Sequence, residues 1–232
     1  MIQIGGLQKL TLIDYPGKLA CTVFLAGCDF RCPWCYSGEL VLPEKIKKQP
    51  KISQKDFFEF LKTRKNLLEG VVMCGGEPTI NRDLPKFTKK IKKIGFSVKL
   101  DTNGSRPKML EELINKELVD YVAMDIKAPK EKYNQVVGKK IKISDIEKSI
   151  DILKKNRVDY EFRTTVVPTI HQKEDILEIF KWIKPAKKYF LQNFRPEKTI
   201  NPKLEEIKPY SEKDLMKICN AISPFFDVCQ VR

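Results

Sequence analysis

Short apolar runs alternate with amphipathic stretches from Leu19 to the end of the chain, and this alternation restricts the fold more than any other feature. Leu19–Leu25, Val71–Cys74, Phe96–Leu100, Val119–Ala123, Tyr160–Val167 and Tyr189–Gln192 have strand length and fall short of helix length, with Phe225–Val231 as a candidate last strand. Helical periods lie between them. Ser53 is the expected N-cap of a helix carrying Phe57, Phe58, Leu61 and Leu68 and stopped by Gly70. Leu84, Phe87, Ile91 and Ile94 form one stripe closed by Gly95, and Pro107 opens the next helix. Ser144-Asp145-Ile146-Glu147 reads as a capping box, 172–183 is helical, and Ser211 caps a helix through Leu215, Ile218 and Ile222. The stretch 128–142 has no strong period.

About six β/α units in succession imply a parallel sheet with right-handed crossovers, either open and doubly wound or curved into a partial barrel. The unusual polar residues discriminate, because they follow the early strands: a cysteine loop, then Gly75 to Pro78, Asp101 to Gly104 and Asp125 to Lys127. In a barrel those strand ends converge on one mouth. The expected architecture is therefore an α/β partial barrel over 19–232. Residues 1–18, with turn signals at Gly5-Gly6 and Pro16-Gly17, are read as a lead-in packed on its core.

Cys28, Cys32 and Cys35 are spaced x3 then x2, with Trp34 before the last. The N-terminus lacks the basic and apolar regions of a signal peptide, so the thiols are expected to stay reduced in the cytoplasm and to bind a metal or cluster. Three ligands leave a centre with one position open for chemistry. Cys21, Cys74, Cys219 and Cys229 sit in apolar contexts and are read as small core residues. His171 is the single histidine, which removes histidine-rich metal sites; a surface position is its default. The formal charge of +14 comes from lysines spread along helices, as in Lys89-Lys90-Ile91-Lys92-Lys93, so solvated faces are expected, with an electropositive docking face as the alternative. No apolar run approaches bilayer length, and neither a membrane nor nucleic acid is expected as partner.

The cysteine motif with Trp34 resembles the radical S-adenosylmethionine enzymes, whose fold is a (β/α)6 partial barrel. Leu12-Ile13-Asp14-Tyr15-Pro16-Gly17-Lys18, Gly75-Gly76-Glu77-Pro78, Asp101-Thr102-Asn103-Gly104 and Asp125-x-Lys127 extend the likeness over nearly the whole chain, toward the glycyl-radical-enzyme activases. The resemblance implies that Cys28, Cys32 and Cys35 hold three irons of a [4Fe-4S] cluster while the fourth iron chelates S-adenosylmethionine. A reduced cluster would then cleave the sulfonium to a 5′-deoxyadenosyl radical.

By the same resemblance Trp34 and Tyr36 contact the nucleoside, and Gly75, Gly76 and Glu77 bind the methionyl amino group. Asp101, Thr102 and Asp125 surround a monovalent cation. Asn103, Ile126, Lys127 and Arg163 complete the cofactor set, with Arg195 in the space that a histidine fills in pyruvate formate-lyase activases. Tyr36-Ser37 departs from the Cys-His-Asn of many relatives. The implied partners are a glycyl-radical enzyme, anaerobic ribonucleotide reductase first among them, and a low-potential donor such as flavodoxin or ferredoxin. Two alternatives stand beside this: a small-molecule or RNA-modifying radical enzyme, and a structural zinc protein with Cys21 or Cys74 as fourth ligand.

Overall fold

The computed structural model describes residues 2–232. Eight strands form one sheet in sequence order: β1 (Ile4–Thr11), β2 (Ala20–Leu25), β3 (Gly70–Gly75), β4 (Ser97–Thr102), β5 (Tyr121–Asp125), β6 (Asp159–Val166), β7 (Ala186–Asn193) and β8 (Phe226–Val231). β1 runs antiparallel to β2, and every later pair is parallel. An order with no reversal brings each right-handed crossover back over the same face, so the sheet curls around an interior rather than splitting its helices between two faces. Among the described residues β8 does not pair with β1, and the barrel stays open.

The helices are α1 (Gly38–Val41), α2 (Pro43–Ile46), α3 (Gln54–Thr63), α4 (Leu84–Ile94), α5 (Pro107–Asn115), α6 (Tyr133–Val136), α7 (Ile143–Lys154), α8 (Lys173–Ile183) and α9 (Glu212–Ile222). Period-two alternation divides each strand between two environments. Val23, Val71, Met73, Val98, Leu100, Val122, Met124 and Phe162 belong to the main core, which Phe57, Leu61, Phe87 and Ile91 share from α3 and α4. Full burial of each such side chain contributes about 1.5–3 kcal/mol. The alternate set, Thr22, Cys74, Lys99, Asp101, Asp125, Glu161 and Arg163, is polar and lies on the inner face. A small second cluster of Tyr15, Ala20, Val72 and Tyr121 closes the inside where the strands begin.

Four local expectations are corrected. Gly5-Gly6 is extended backbone inside β1 and makes no turn. α3 stops at Thr63, with Leu68 beyond it, although Ser53 does cap it by accepting from the Asp56 N–H. α7 begins at Ile143, placing Ser144 within the helix, and its cap Lys142 makes no side-chain cap bond. The capping box belongs to α8, where Gln172 and Asp175 satisfy each other's backbone N–H groups. The stretch 128–142 holds a 3-10 turn at Lys130–Lys132 and the short α6.

Candidate functional site

The cysteine loop leaves β2 at its C-terminal end and is tied down on three sides. Arg31 donates from its guanidinium to the carbonyls of Cys28 and Phe30 at 2.7 and 2.6 Å, and from its backbone N–H to the Val137 carbonyl at 2.8 Å. Asp29 accepts from Asn103 Nδ2 at 3.1 Å, Ser105 Oγ at 2.8 Å and Arg106 Nε at 3.2 Å, which latches the loop to the end of β4. The segment after β7 covers the third side. Ile200 and Asn201 donate to the carbonyls of Cys35 and Pro33, and the Tyr36 hydroxyl accepts from the Arg195 N–H at 2.7 Å while its ring stacks on Phe194.

Cys28, Cys32 and Cys35 line one cavity of about 360 Å³. The same wall includes Trp34, Tyr36, Gly75, Gly76, Glu77, Asp101, Thr102, Asn103, Asp125, Lys127 and Arg163, all from the sequence-derived set. Two members fall elsewhere. Ile126 has its side chain buried in the core, and Arg195 is exposed and reaches the site only through its backbone bond to Tyr36. Asp14, Phe30, Ser37, Val41, Thr165 and Gln192 also line the cavity without an assigned role, as does Cys74, which was expected in the core. Asp14 follows β1 and accepts from Thr22 Oγ1 at 2.6 Å. Cys74 belongs to the inner face of β3, which period-two spacing from Val72 already indicates, so of the four scattered cysteines it lines the site rather than the core. Cys21 is fully buried in the core.

Burial pushes all three loop thiols up, Cys32 to about 12 against the pull of Lys127. Such thiols become ligands only against a strong local cation. Among the described residues no three Cys, His, Asp or Glu side chains converge as ligands of one ion. A tetrahedral zinc site requires that convergence. An iron-sulfur cluster takes one thiolate per iron and spreads them, so three separated thiols on a shared cavity wall fit it.

The inner strands carry an ionic chain beneath the cysteines. Arg163 donates from Nε to Asp125 at 2.8 Å and from Nη1 to Asp101 at 3.1 Å, and Lys127 pairs with Asp125 at 3.0 Å. Lys99, which is 1% exposed, makes a short ion pair with the other Asp101 oxygen. Glu161 accepts from Tyr121 and Arg232. Burial opposes the charge on Asp125, but Arg163 and Lys127 hold its carboxyl well below the usual carboxylate range. All four oxygens of Asp101 and Asp125 are thereby matched with cations of the chain.

Glu77 is 1% exposed and accepts from the Thr79 N–H and hydroxyl, the Thr102 hydroxyl at 2.8 Å and the Asn103 N–H at 2.6 Å. Burial pushes its carboxyl up to about 7 against those donors. The side chain therefore clamps the turn after β3 to the end of β4. Gly76 serves the same junction, since a Cβ there would lie 2.0 Å from the Gly27 carbonyl oxygen.

His171 corrects its surface expectation: it is fully buried. Its Nδ1 accepts from the Val167 N–H at 3.0 Å, so the proton resides on Nε2 and is donated to the Lys127 carbonyl at 2.7 Å. Trp34 meets the ring edge-on with centroids 5.6 Å apart. The imidazole thus joins the cysteine loop to the Asp125–Lys127 turn. A Pro-Thr-Ile-His turn after a strand gives no sequence signal for that inward fold.

The profile of the radical SAM superfamily matches residues 22–183. A Methanocaldococcus jannaschii protein provisionally named a glycyl-radical enzyme activating enzyme is 34% identical, over 99% of this chain and 95% of its own length. A second protein of that organism, with the same provisional name, is 27% identical over 77% of this chain and 68% of its own length. Among solved structures, a domain of pyruvate-formate lyase-activating enzyme from Bacteroides vulgatus superposes with a TM-score of 0.55 at 15% identity, covering 69% of this chain and 98% of that domain. Streptococcus suis SuiB bound to its precursor peptide SuiA superposes with a TM-score of 0.66 at 14% identity, over 88% of this chain and 46% of that one.

Proposed function

Because the chain belongs to the radical SAM superfamily and, within it, to the glycyl-radical enzyme activating enzymes, we propose that it installs a glycyl radical on a partner protein, anaerobic ribonucleotide reductase. The observation that carries this reading is the single cavity that collects three loop thiols, the turn after β3 and the Asp125–Lys127–Arg163 chain. Cys28, Cys32 and Cys35 would hold three irons of a [4Fe-4S] cluster. When bound, that cluster and S-adenosylmethionine supply one-electron cleavage of the sulfonium and a carbon radical able to take a hydrogen atom from a glycine α-carbon.

The chain's own residues bind and orient. Lys127 and Arg163 present positive charge to a cofactor carboxylate, while Asp125 fixes both of them. Trp34, held by His171, is the surface offered to the nucleoside. Glu77, closed by four protein donors, acts here as a latch. The methionyl amino group is left to the backbone carbonyls of the Gly75–Gly76 turn. Lys99, Arg163 and Lys127 already balance Asp101 and Asp125, so the reading gives them the charge that a monovalent cation would otherwise supply.

Anaerobic reconstitution, dithionite reduction and chromatographic measurement of 5′-deoxyadenosine test this. Wild type is expected to form deoxyadenosine, and Cys28→Ser, Cys32→Ser and Cys35→Ser to form none. Colourless, zinc-loaded protein that leaves S-adenosylmethionine intact would overturn it.

A further inference from the structure

The outer flank of the cysteine loop carries a cluster of cations that the proposed chemistry does not use. Arg31 has its N–H on the Val137 carbonyl, and its backbone lies so near Gly138 that a Cβ there would be 2.8 Å from the Arg31 carbonyl oxygen. Lys139, Lys140 and Lys142 follow directly and are exposed. On the adjoining side Arg106 reaches Asp29, and exposed Lys108 and Lys142 line the same groove as Arg106, between α5 and α7.

Of the acids of that groove, Glu111 faces Arg157, Glu112 pairs with Lys116 and Asp145 faces Lys148 within the groove itself, and Asp151 lies at the far end from Lys139 and Lys140, which do not line it. Lys108, Lys139, Lys140 and Lys142 have no carboxylate partner among the described residues. None of these cations lines the cavity, so a molecule resting on them approaches the cysteines through the loop backbone and leaves the cavity wall free.

We propose that this face docks an acidic one-electron carrier protein, which delivers its electron to the centre held by Cys28, Cys32 and Cys35. The inference rests on the radical reading, because only a centre that must be reduced requires a donor. One electron leaves the reduced carrier and enters the centre, no atom is transferred, and the carrier departs oxidised by one electron. Unpaired lysines on a rim suit such a partner: they steer encounter and fix orientation while permitting rapid release. Small electron-transfer contacts lie at the low end of interface size.

The test uses cluster-loaded protein and an acidic flavodoxin as probe. Calorimetry with oxidised flavodoxin compares wild type with K139E/K140E/K142E and with K139Q/K140Q/K142Q. At low salt the reversal variant is expected to bind about tenfold or more weakly, with the glutamine variant between, and the gap should shrink as salt screens the charges. Deoxyadenosine formation driven by reduced flavodoxin should fall by a similar factor, while dithionite-driven formation and the melting temperature stay unchanged. Equal flavodoxin affinity and equal flavodoxin-driven rates across the three proteins would overturn the docking assignment. So would loss of single-stranded oligonucleotide binding in the reversal variant with flavodoxin binding intact, which would assign the face to nucleic acid. Absence of dithionite-driven cleavage in wild type refutes the radical reading instead, and calorimetry still decides the docking.

Discussion

Lys99 is the residue whose loss should be felt most. In Lys99→Met, Asp101 keeps only Arg163 in a buried interior, and breaking such a pair costs about 3 kcal/mol, read as a lower midpoint in chemical denaturation. Wild-type affinity for S-adenosylmethionine is expected to be the same in potassium, sodium and choline salts; a Kd that follows cation identity contradicts the internal charge balance. His171 supplies a pH signature. Burial lowers its pKa from the ordinary 6.5, and protonated Nδ1 would face the Val167 N–H. The unfolded chain therefore binds the extra proton more readily, so this contribution to stability is complete above about pH 6.5 and is lost as the pH falls below it, at up to about 1.4 kcal/mol per pH unit. Denaturation from pH 7 to 5 should lose more stability in wild type than in His171→Gln, and equal slopes would refute it. The buried partner that Arg163 required was legible from its strand. Lys99 was legible in principle, two residues before Asp101 on the same strand face. His171 was not, because its environment is made by a turn and by residues distant in sequence.

Among the elements, the junction of β2 and β3 sets the cavity's shape. Gly76→Ala drives a methyl into the Gly27 carbonyl, so that variant should fold poorly or lose several degrees of melting temperature, whereas Gly17→Ala, at φ 72° with nothing within 4 Å, should cost only about 1 kcal/mol. Comparable losses would show that backbone conformation, and not close approach, governs both sites. The parallel strands and most helices were readable because apolar spacing reports which face is buried. β1 was not, since Gly5-Gly6 imitates a turn and Gln8, Lys9 and Leu10 are all exposed, with no alternation. The start of α7 differs for a related reason: a sequence can carry a capping pattern while tertiary packing begins the helix two residues earlier.

At the scale of the molecule, sequential strand order with one antiparallel edge makes a curled sheet whose inner face is polar, and the motifs that end β2 to β5 meet there. That convergence was readable from where the polar residues stood relative to the strands. The segment after β7 that pins the cysteine loop through Ile200, Asn201 and Arg195 was not, because backbone pairing between distant loops leaves no pattern in composition. The central claim is that this cavity directs a radical onto a protein glycine. It is tested most directly by electron paramagnetic resonance of reduced, cluster-loaded protein mixed anaerobically with S-adenosylmethionine and anaerobic ribonucleotide reductase. A glycyl doublet that vanishes with Cys32→Ser is expected, and deoxyadenosine formation with no doublet on that partner would rule it out as the radical's acceptor.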